Sequence, residues 1–331
     1  MENLLFSLNI ILPLAILLTL GYIFKKIGFF NDQFISMGKK LCFYVLLACT
    51  LFKNLYDSSI DVFPIRLISL VVISIVVEFI VSCLIAKAIS DKRNEIGVII
   101  QGSFRSNYAY IGIPLASLMF SESSLVSMTN SKLSIISVFA IPLFNILSVF
   151  GFAYFNENES ENLLKRTIVG IIRNPCIISI ILGLCVLLFR HIVPASSFFI
   201  RDNLNFLYKV IGYLSSMSTP FALLLVGASL NLSHSIANIK KLVWVVSLKD
   251  LIYPVVILTI AYLLKGYDRV DFALLVSTFA SPTAVASAIM ASELGGDYDL
   301  ANEIVVYTTI FSILSLLIII FGLKTMGCLW D

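Results

Sequence analysis

Gln101-Gly102-Ser103-Phe104-Arg105-Ser106-Asn107-Tyr108 sets an arginine and two amides in the middle of an apolar stretch, and Gly112-Ile113-Pro114 follows. A second apolar stretch carries Thr278-Phe279-Ala280-Ser281-Pro282-Thr283 at the corresponding place. Proline removes a helical donor and clashes with the preceding turn. In lipid, the freed backbone groups must be met by protein or by a water-filled cavity. A kink without a ligand is the plainer reading of either stretch alone. Interruptions at matching positions of two halves point instead to a shared substrate site. The candidate binding residues are therefore Arg105, Ser106, Asn107, Tyr108, Ser281, Pro282 and Thr283.

Lipid is the solvent that the rest of the chain demands. Of 331 residues, 59% are apolar and only 13% charged, against roughly 25% charged in soluble domains. Mean hydropathy is +0.99. Such a composition excludes disorder, a coiled coil and a disulfide-rich secreted fold, and a net charge of +3 is too small for nucleic-acid binding. Spans need about 20 apolar residues, and ten segments qualify: 4–24, 35–56, 63–89, 95–120, 125–154, 165–190, 203–231, 238–264, 270–293 and 300–323. The first is read as a span and not a cleaved signal, because Met1–Asn3 has no basic residue and the apolar run continues to Lys25. Cys42, Cys49, Cys83, Cys176, Cys185 and Cys328 read as small buried hydrophobes. With His191 and His234 in polar breaks, no metal or haem site is expected and no cofactor is implied.

With the N-terminus outside, twelve basic residues fall on the inner side: Lys25, Lys26, Lys39, Lys40, Lys87, Lys92, Arg93, Lys165, Arg166, Arg173, Lys240 and Lys241. Eight fall outside: Lys53, Arg66, Lys132, Arg190, Arg201, Lys265, Arg269 and Lys324. The bias predicts both termini outside the cell membrane. Ten spans divide at the polar stretch 156–166 into five and five, so any repeat is inverted. The expected fold is an all-α polytopic membrane protein, with a first five-helix repeat over 1–155 and a short cytoplasmic loop over 156–164. A second repeat covers 165–331. Phe43–Leu51 resembles Phe221–Leu230 at similar offsets in the two halves. The stretch Ser160–Asn174 reads as an interfacial helix.

Four charges lie near mid-membrane: Glu78, Arg105, Lys249 and Asp250. Charges at that depth are costly and face a cavity or one another. Glu78 shares a helical face with Ser74 and Ser82, and Asp250 with Ser247 and Pro254. One reading is a structural network in which Arg105 and Lys249 neutralise the two acids. The other gives Glu78 and Asp250 to ion coupling, with Glu78 favoured as the acid that exchanges a proton, because Lys249 adjoins Asp250. Arg105 is the strongest anion-binding candidate, since guanidinium pairs with carboxylates in a bidentate fork. Leu214–Pro220 is expected to bend and Gly227-Ala228-Ser229 to pack against a helix, with pore lining the second reading, and Asn145 after Pro142 carries the same two readings. P-loop, GxSxG and HExxH motifs are missing from the sequence, so an enzyme is not expected.

Asn107-Tyr108-Ala109-Tyr110-Ile111-Gly112-Ile113-Pro114-Leu115 resembles the fourth-span signature of the auxin efflux carrier family. Arg173-Asn174-Pro175, Pro220–Leu230 and Pro282–Glu293 resemble its sixth, seventh and ninth spans. The family is similar in fold to the bile-acid sodium symporters. The resemblance implies two inverted repeats, with broken helices four and nine crossing at the substrate. It also implies a scaffold of spans 1, 2, 6 and 7, a transport part of spans 3–5 and 8–10, elevator-like movement and a homodimer through the scaffold. Asn107 falls on the crossover asparagine and Pro282 on the crossover proline. Ser106 stands where plant carriers have proline, and Arg105 replaces an apolar residue, which favours a smaller, more anionic substrate.

The expected function is secondary active transport of a small organic anion, a mono- or dicarboxylate such as malonate or malate, coupled to a proton or sodium ion. Two alternatives are kept: an exporter of auxin-like aromatic carboxylates, and a channel or receptor-like protein without coupled transport. A channel would show a polar stripe through several spans, whereas polarity here gathers at mid-depth.

Overall fold

A computed structural model describes residues 2–57, 64–153, 175–192, 200–230 and 238–329. The central loop 156–164, the expected interfacial helix up to Asn174, and His234 lie outside them. Among the described residues the chain is helical, with a single isolated β-bridge. The elements are α1 (Glu2–Lys26), α2 (Asp32–Tyr56), α3 (Ile65–Ile89), α4 (Arg93–Phe104), α5 (Tyr108–Leu118), α6 (Ser123–Ala153) and α7 (Pro175–Ile192). They continue as α8 (Ile200–Asn203), α9 (Asn205–Ala228), α10 (Ile239–Leu264), α11 (Arg269–Phe279), α12 (Ala286–Glu293) and α13 (Tyr298–Thr325). Seven of these are long and apolar enough to cross a membrane: α1, α2, α3, α6, α9, α10 and α13. The other three apolar segments of the sequence fall on the shorter α7 and on the two pairs α4/α5 and α11/α12.

Start signals are local and chemical. Asn31 accepts from the Phe34 amide at 2.7 Å, Asp297 from Leu300 at 2.9 Å, and Asp268 and Asp271 close a reciprocal capping box. Gly28, at φ +78°, takes the left-handed conformation that turns the chain out of α1.

The helices are built inside out relative to a soluble bundle. On α3, Ile73, Val77, Ile80 and Leu84 recur at helical spacing and are half or more exposed, while Ser74, Glu78 and Ser82 are buried. An apolar stripe facing outwards and a polar one facing inwards is the pattern of a helix in lipid. Together with the seven apolar helices this makes the chain a multi-pass membrane protein. Cys42 and Cys328 are buried as expected, but Cys185 is exposed, on the outward face of the apolar helix α7.

Glycines decide the closest helix contacts. A Cβ on Gly227 would stand 1.9 Å from the Leu18 carbonyl oxygen, and one on Gly21 would stand 2.0 Å from that of Leu224, so α1 and α9 touch backbone to backbone. The Gly227 segment therefore serves packing. α9 runs through Pro220 as one continuous helix. α1 packs on α9, and α2 on α7 and α9. α3 packs on α4 and α6, and α10 on α11 and α13.

Candidate functional site

Both interrupted segments break where the sequence places arginine and proline. α4 ends at Phe104 and α5 begins at Tyr108; α11 ends at Phe279 and α12 begins at Ala286. Between them the two extended pieces pair antiparallel at Ser106 and Thr283. The Asn107 amide donates to the Pro282 carbonyl at 2.7 Å, and the Ala284 amide to the Arg105 carbonyl at 3.1 Å. The Thr283 hydroxyl donates to the Gly102 carbonyl at 2.6 Å, and the Thr283 amide to the Thr308 hydroxyl at 3.2 Å. Backbone groups that helix breaks would leave bare are thus met by the opposite segment and by α13, as the membrane interior requires. Gly112 allows the approach: a Cβ there would lie 2.4 Å from the Ser277 carbonyl oxygen.

The seven sequence candidates divide by what they touch. Arg105, Ser106 and Asn107 border a cavity of about 440 Å³. Tyr108, Ser281, Pro282 and Thr283 hold the crossover instead. The Tyr108 hydroxyl reaches the Leu133 carbonyl at 3.2 Å, the Ser281 hydroxyl donates to the Ser277 carbonyl at 2.6 Å, and the Pro282 carbonyl and Thr283 hydroxyl are in the ladder above. The first turns of α5 and α12 also face the cavity, through Ala109, Tyr110, Val285 and Ala286. The first amides of a helix lack intrahelical partners and carry its positive dipole end.

Electrostatically the cavity is one-sided. Lys39, Lys40 and Arg105 border it, and no acidic residue does among the described residues. Arg105 is 8% exposed. Its guanidinium donates to Asn145 Oδ1 at 2.7 Å and approaches Met290 Sδ at 3.6 Å, and no carboxylate pairs with it among the described residues. The network in which Arg105 neutralises a buried acid is therefore not formed. Ser106 Oγ and Asn107 Nδ2 are buried without a hydrogen-bond partner. A buried amide left unpaired costs about 1–3 kcal/mol, so the residues bordering the cavity keep two donors without an acceptor.

The sequence reading placed Lys39 and Lys40 inside the second apolar segment, 35–56, but used them only as inner-side charges and not as site residues; both sit two turns inside α2 and border the cavity. Asn145 is settled: it orients Arg105 and borders the cavity. Phe43, Tyr44 and Tyr110 supply aromatic walls.

Glu78, Lys249 and Asp250 are buried apart from this cavity, and the lysine makes no hydrogen bond to either acid. All three are at most 2% exposed. Lys249 and Asp250 lie on a π-helical turn, Leu248–Ile252, a local widening common at functional positions. Lys249 Nζ donates to the Phe279 carbonyl, the C-terminal end of α11, at 3.1 Å. Neither Glu78 nor Asp250 has a hydrogen-bond partner for either carboxylate oxygen. Ser82, on the same face of α3 as Glu78, pairs with the Tyr253 hydroxyl at 2.9 Å. Asp250 borders a second cavity, between α10 and α13.

Helices suited to lipid, two of the apolar segments broken and crossing, and a cationic cavity at the crossing define a membrane transport protein. The chain belongs to the family described as membrane transport protein, whose model matches residues 6–320, and this is the auxin efflux carrier family of the sequence resemblance. An uncharacterized transporter of Methanothermobacter thermautotrophicus is 23% identical over 326 residues, covering 94% of this chain and 96% of the relative. An uncharacterized transporter of Methanocaldococcus jannaschii is 23% identical over 318 residues, covering 93% and 96%.

Proposed function

We propose that this chain is a secondary carrier of a small organic anion, a mono- or dicarboxylate of the size of malonate or malate, held in the crossover cavity. The observation that carries this reading is the Arg105 guanidinium, buried and fixed by Asn145 without a counter-charge, beside the unpaired donors of Asn107 and Ser106. A carboxylate entering there gains a charge-assisted pair and two donors at once, with the positive ends of α5 and α12 behind them. At about 440 Å³ the cavity lies in the range of small-molecule sites, roughly 300–1,000 Å³. Phe43, Tyr44 and Tyr110 favour a second reading, an auxin-like aromatic carboxylate stacked between them.

In this reading α4/α5 and α11/α12 each act as one crossing, giving ten in two inverted repeats with both termini outside the cell membrane. The cavity lies between α2 and α9 on one side and the crossover with α6 on the other. That placement suits an elevator in which α1, α2, α7 and α9 stay as a dimeric scaffold. Glu78, Lys249 and Asp250 would couple the movement to an ion. With all three ionised they carry one net negative charge, which burial disfavours, so one proton or one cation completes the cluster.

Flux in proteoliposomes over a panel of aliphatic and aromatic carboxylates, with and without proton and sodium gradients, tests the reading. Saturable exchange of at least one carboxylate is expected, falling tenfold or more in Arg105→Gln. Saturable flux of amines or sugars with no carboxylate moved would refute it.

A further inference from the structure

The groove between α10 and α13 is a different kind of place from the crossover cavity. It measures about 530 Å³. Val243, Phe311, Leu314 and Ile318 wall it, each half or more exposed on the outward face of the bundle. Ser247, Asp250, Tyr307 and Ser315 line its inner side. Asp250 is 2% exposed, and both of its oxygens lack hydrogen-bond partners. A buried carboxylate without donors is costly, and this one borders an apolar groove open towards lipid.

The charges around Asp250 leave room for one more cation. From α3 comes Glu78, and from α10 itself Lys249, whose ammonium is turned to the Phe279 carbonyl of α11. The charged side chains that α4 and α13 offer to α10 stand at its N-terminal end and are paired there: Glu95 with Lys241, and Glu303 with Asn238. With all three ionised, two acids and one lysine leave a deficit of one positive charge, which a proton or a cation fills. A bare metal ion fits poorly, because one carboxylate and a few hydroxyls fall short of the six or so oxygens a hard cation gathers. A lipid acyl chain would fill the walls and leave the carboxylate unanswered.

We propose that this groove is a second ligand site, entered from the bilayer, for a compact hydrophobic primary amine in its ammonium form. The three N–H donors go to Asp250 and to the Ser247 and Ser315 hydroxyls, and the apolar body lies between Val243, Phe311 and Leu314. The charge that completes the cluster is then carried by the ligand. In the transport reading, on which only this consequence rests, the amine takes the place of the coupling ion and arrests gradient-driven flux.

The test is direct binding of tritiated 1-aminoadamantane to the full chain in lipid nanodiscs, with empty nanodiscs subtracted. One saturable site per chain is expected, with 1-adamantanol, the neutral isostere, competing at least tenfold more weakly. Asp250→Asn should weaken the amine at least tenfold and leave the alcohol unchanged. Val243→Trp fills the groove from its lipid-facing wall without touching the buried cluster, and should abolish binding even if the Asp250 variant fails to fold. Equal affinity for amine and alcohol, or an Asp250→Asn protein that binds the amine like the parent, would overturn the proposal. Amine binding with no carboxylate flux would strike the transport reading alone.

Discussion

Asn107→Ala separates a ligand-binding amide from a structural one, because the two roles move stability in opposite directions. The backbone of Asn107 ties the crossover together: its amide reaches Pro282, and its carbonyl accepts from Ile111 at 2.9 Å and Gly112 at 3.3 Å. Alanine keeps all of these, and its φ of −77° is ordinary for any residue. The side chain is 2% exposed with Nδ2 unpaired. Removing it from the empty protein deletes an unsatisfied donor whose burial costs about 1–3 kcal/mol, and the space left opens onto the cavity. The empty variant should therefore unfold at the parent's temperature or slightly above it. With an anion bound, the same substitution deletes a hydrogen bond to a charged acceptor, about 1.5–3 kcal/mol. At 1.4 kcal/mol per decade, half-saturation should rise about 10- to 100-fold. The assays are thermal unfolding by intrinsic fluorescence and counterflow of the carboxylate best carried by the parent. A fall in unfolding temperature with half-saturation within threefold of the parent would make Asn107 structural and refute the reasoning.

Three further outcomes are expected. Glu78→Gln leaves Lys249 balanced by Asp250 alone, so counterflow should persist within twofold while uptake stops responding to a proton or sodium gradient; gradient-driven uptake equal to the parent's would make Glu78 structural. Gly227→Ala drives a methyl onto the Leu18 carbonyl and should cost about 1–3 kcal/mol by overpacking, whereas Gly322→Ala, with open space around it, should leave the unfolding temperature unchanged or raised; equal effects would refute the close contact of α1 and α9. In a cysteine-free background and sealed cells, an impermeant maleimide should label Lys265→Cys and spare Lys92→Cys, and the reverse pattern would invert the orientation.

The helices were legible because membrane helices are specified by length and apolarity, quantities that can be read one segment at a time. The breaks were legible too, because Pro282 and the pair Arg105 and Asn107 contradict the composition around them. What could not be read was azimuth. Whether a residue in a broken segment meets a cavity or a neighbouring carbonyl depends on how two extended pieces cross. Nothing local distinguishes Asn107, which borders the cavity with its amide nitrogen unpaired, from Thr283, whose hydroxyl is spent on Gly102. Lys39 escaped for a related reason: it lies within the expected span, but that it borders the cavity depends on which face of α2 meets the crossover.

The two buried acids carry the same lesson further. Sequence adjacency pairs Lys249 with Asp250 and leaves Glu78 as the freer acid. The π-helical turn Leu248–Ile252 widens the helix where both residues sit, and the two neighbours face different ways. Lys249 turns to the Phe279 carbonyl, and Asp250 borders the outer groove. A group that exchanges its charge with the surroundings needs both burial and a path. Glu78 has burial and borders neither cavity, while Asp250 has both. If one proton serves the pair, it need not reside on one acid: entry through Asp250 and residence on Glu78 are compatible with a single lysine between them. Lys249 then transmits the exchange, because the same ammonium that balances the acids holds the end of α11 one residue before the crossover begins.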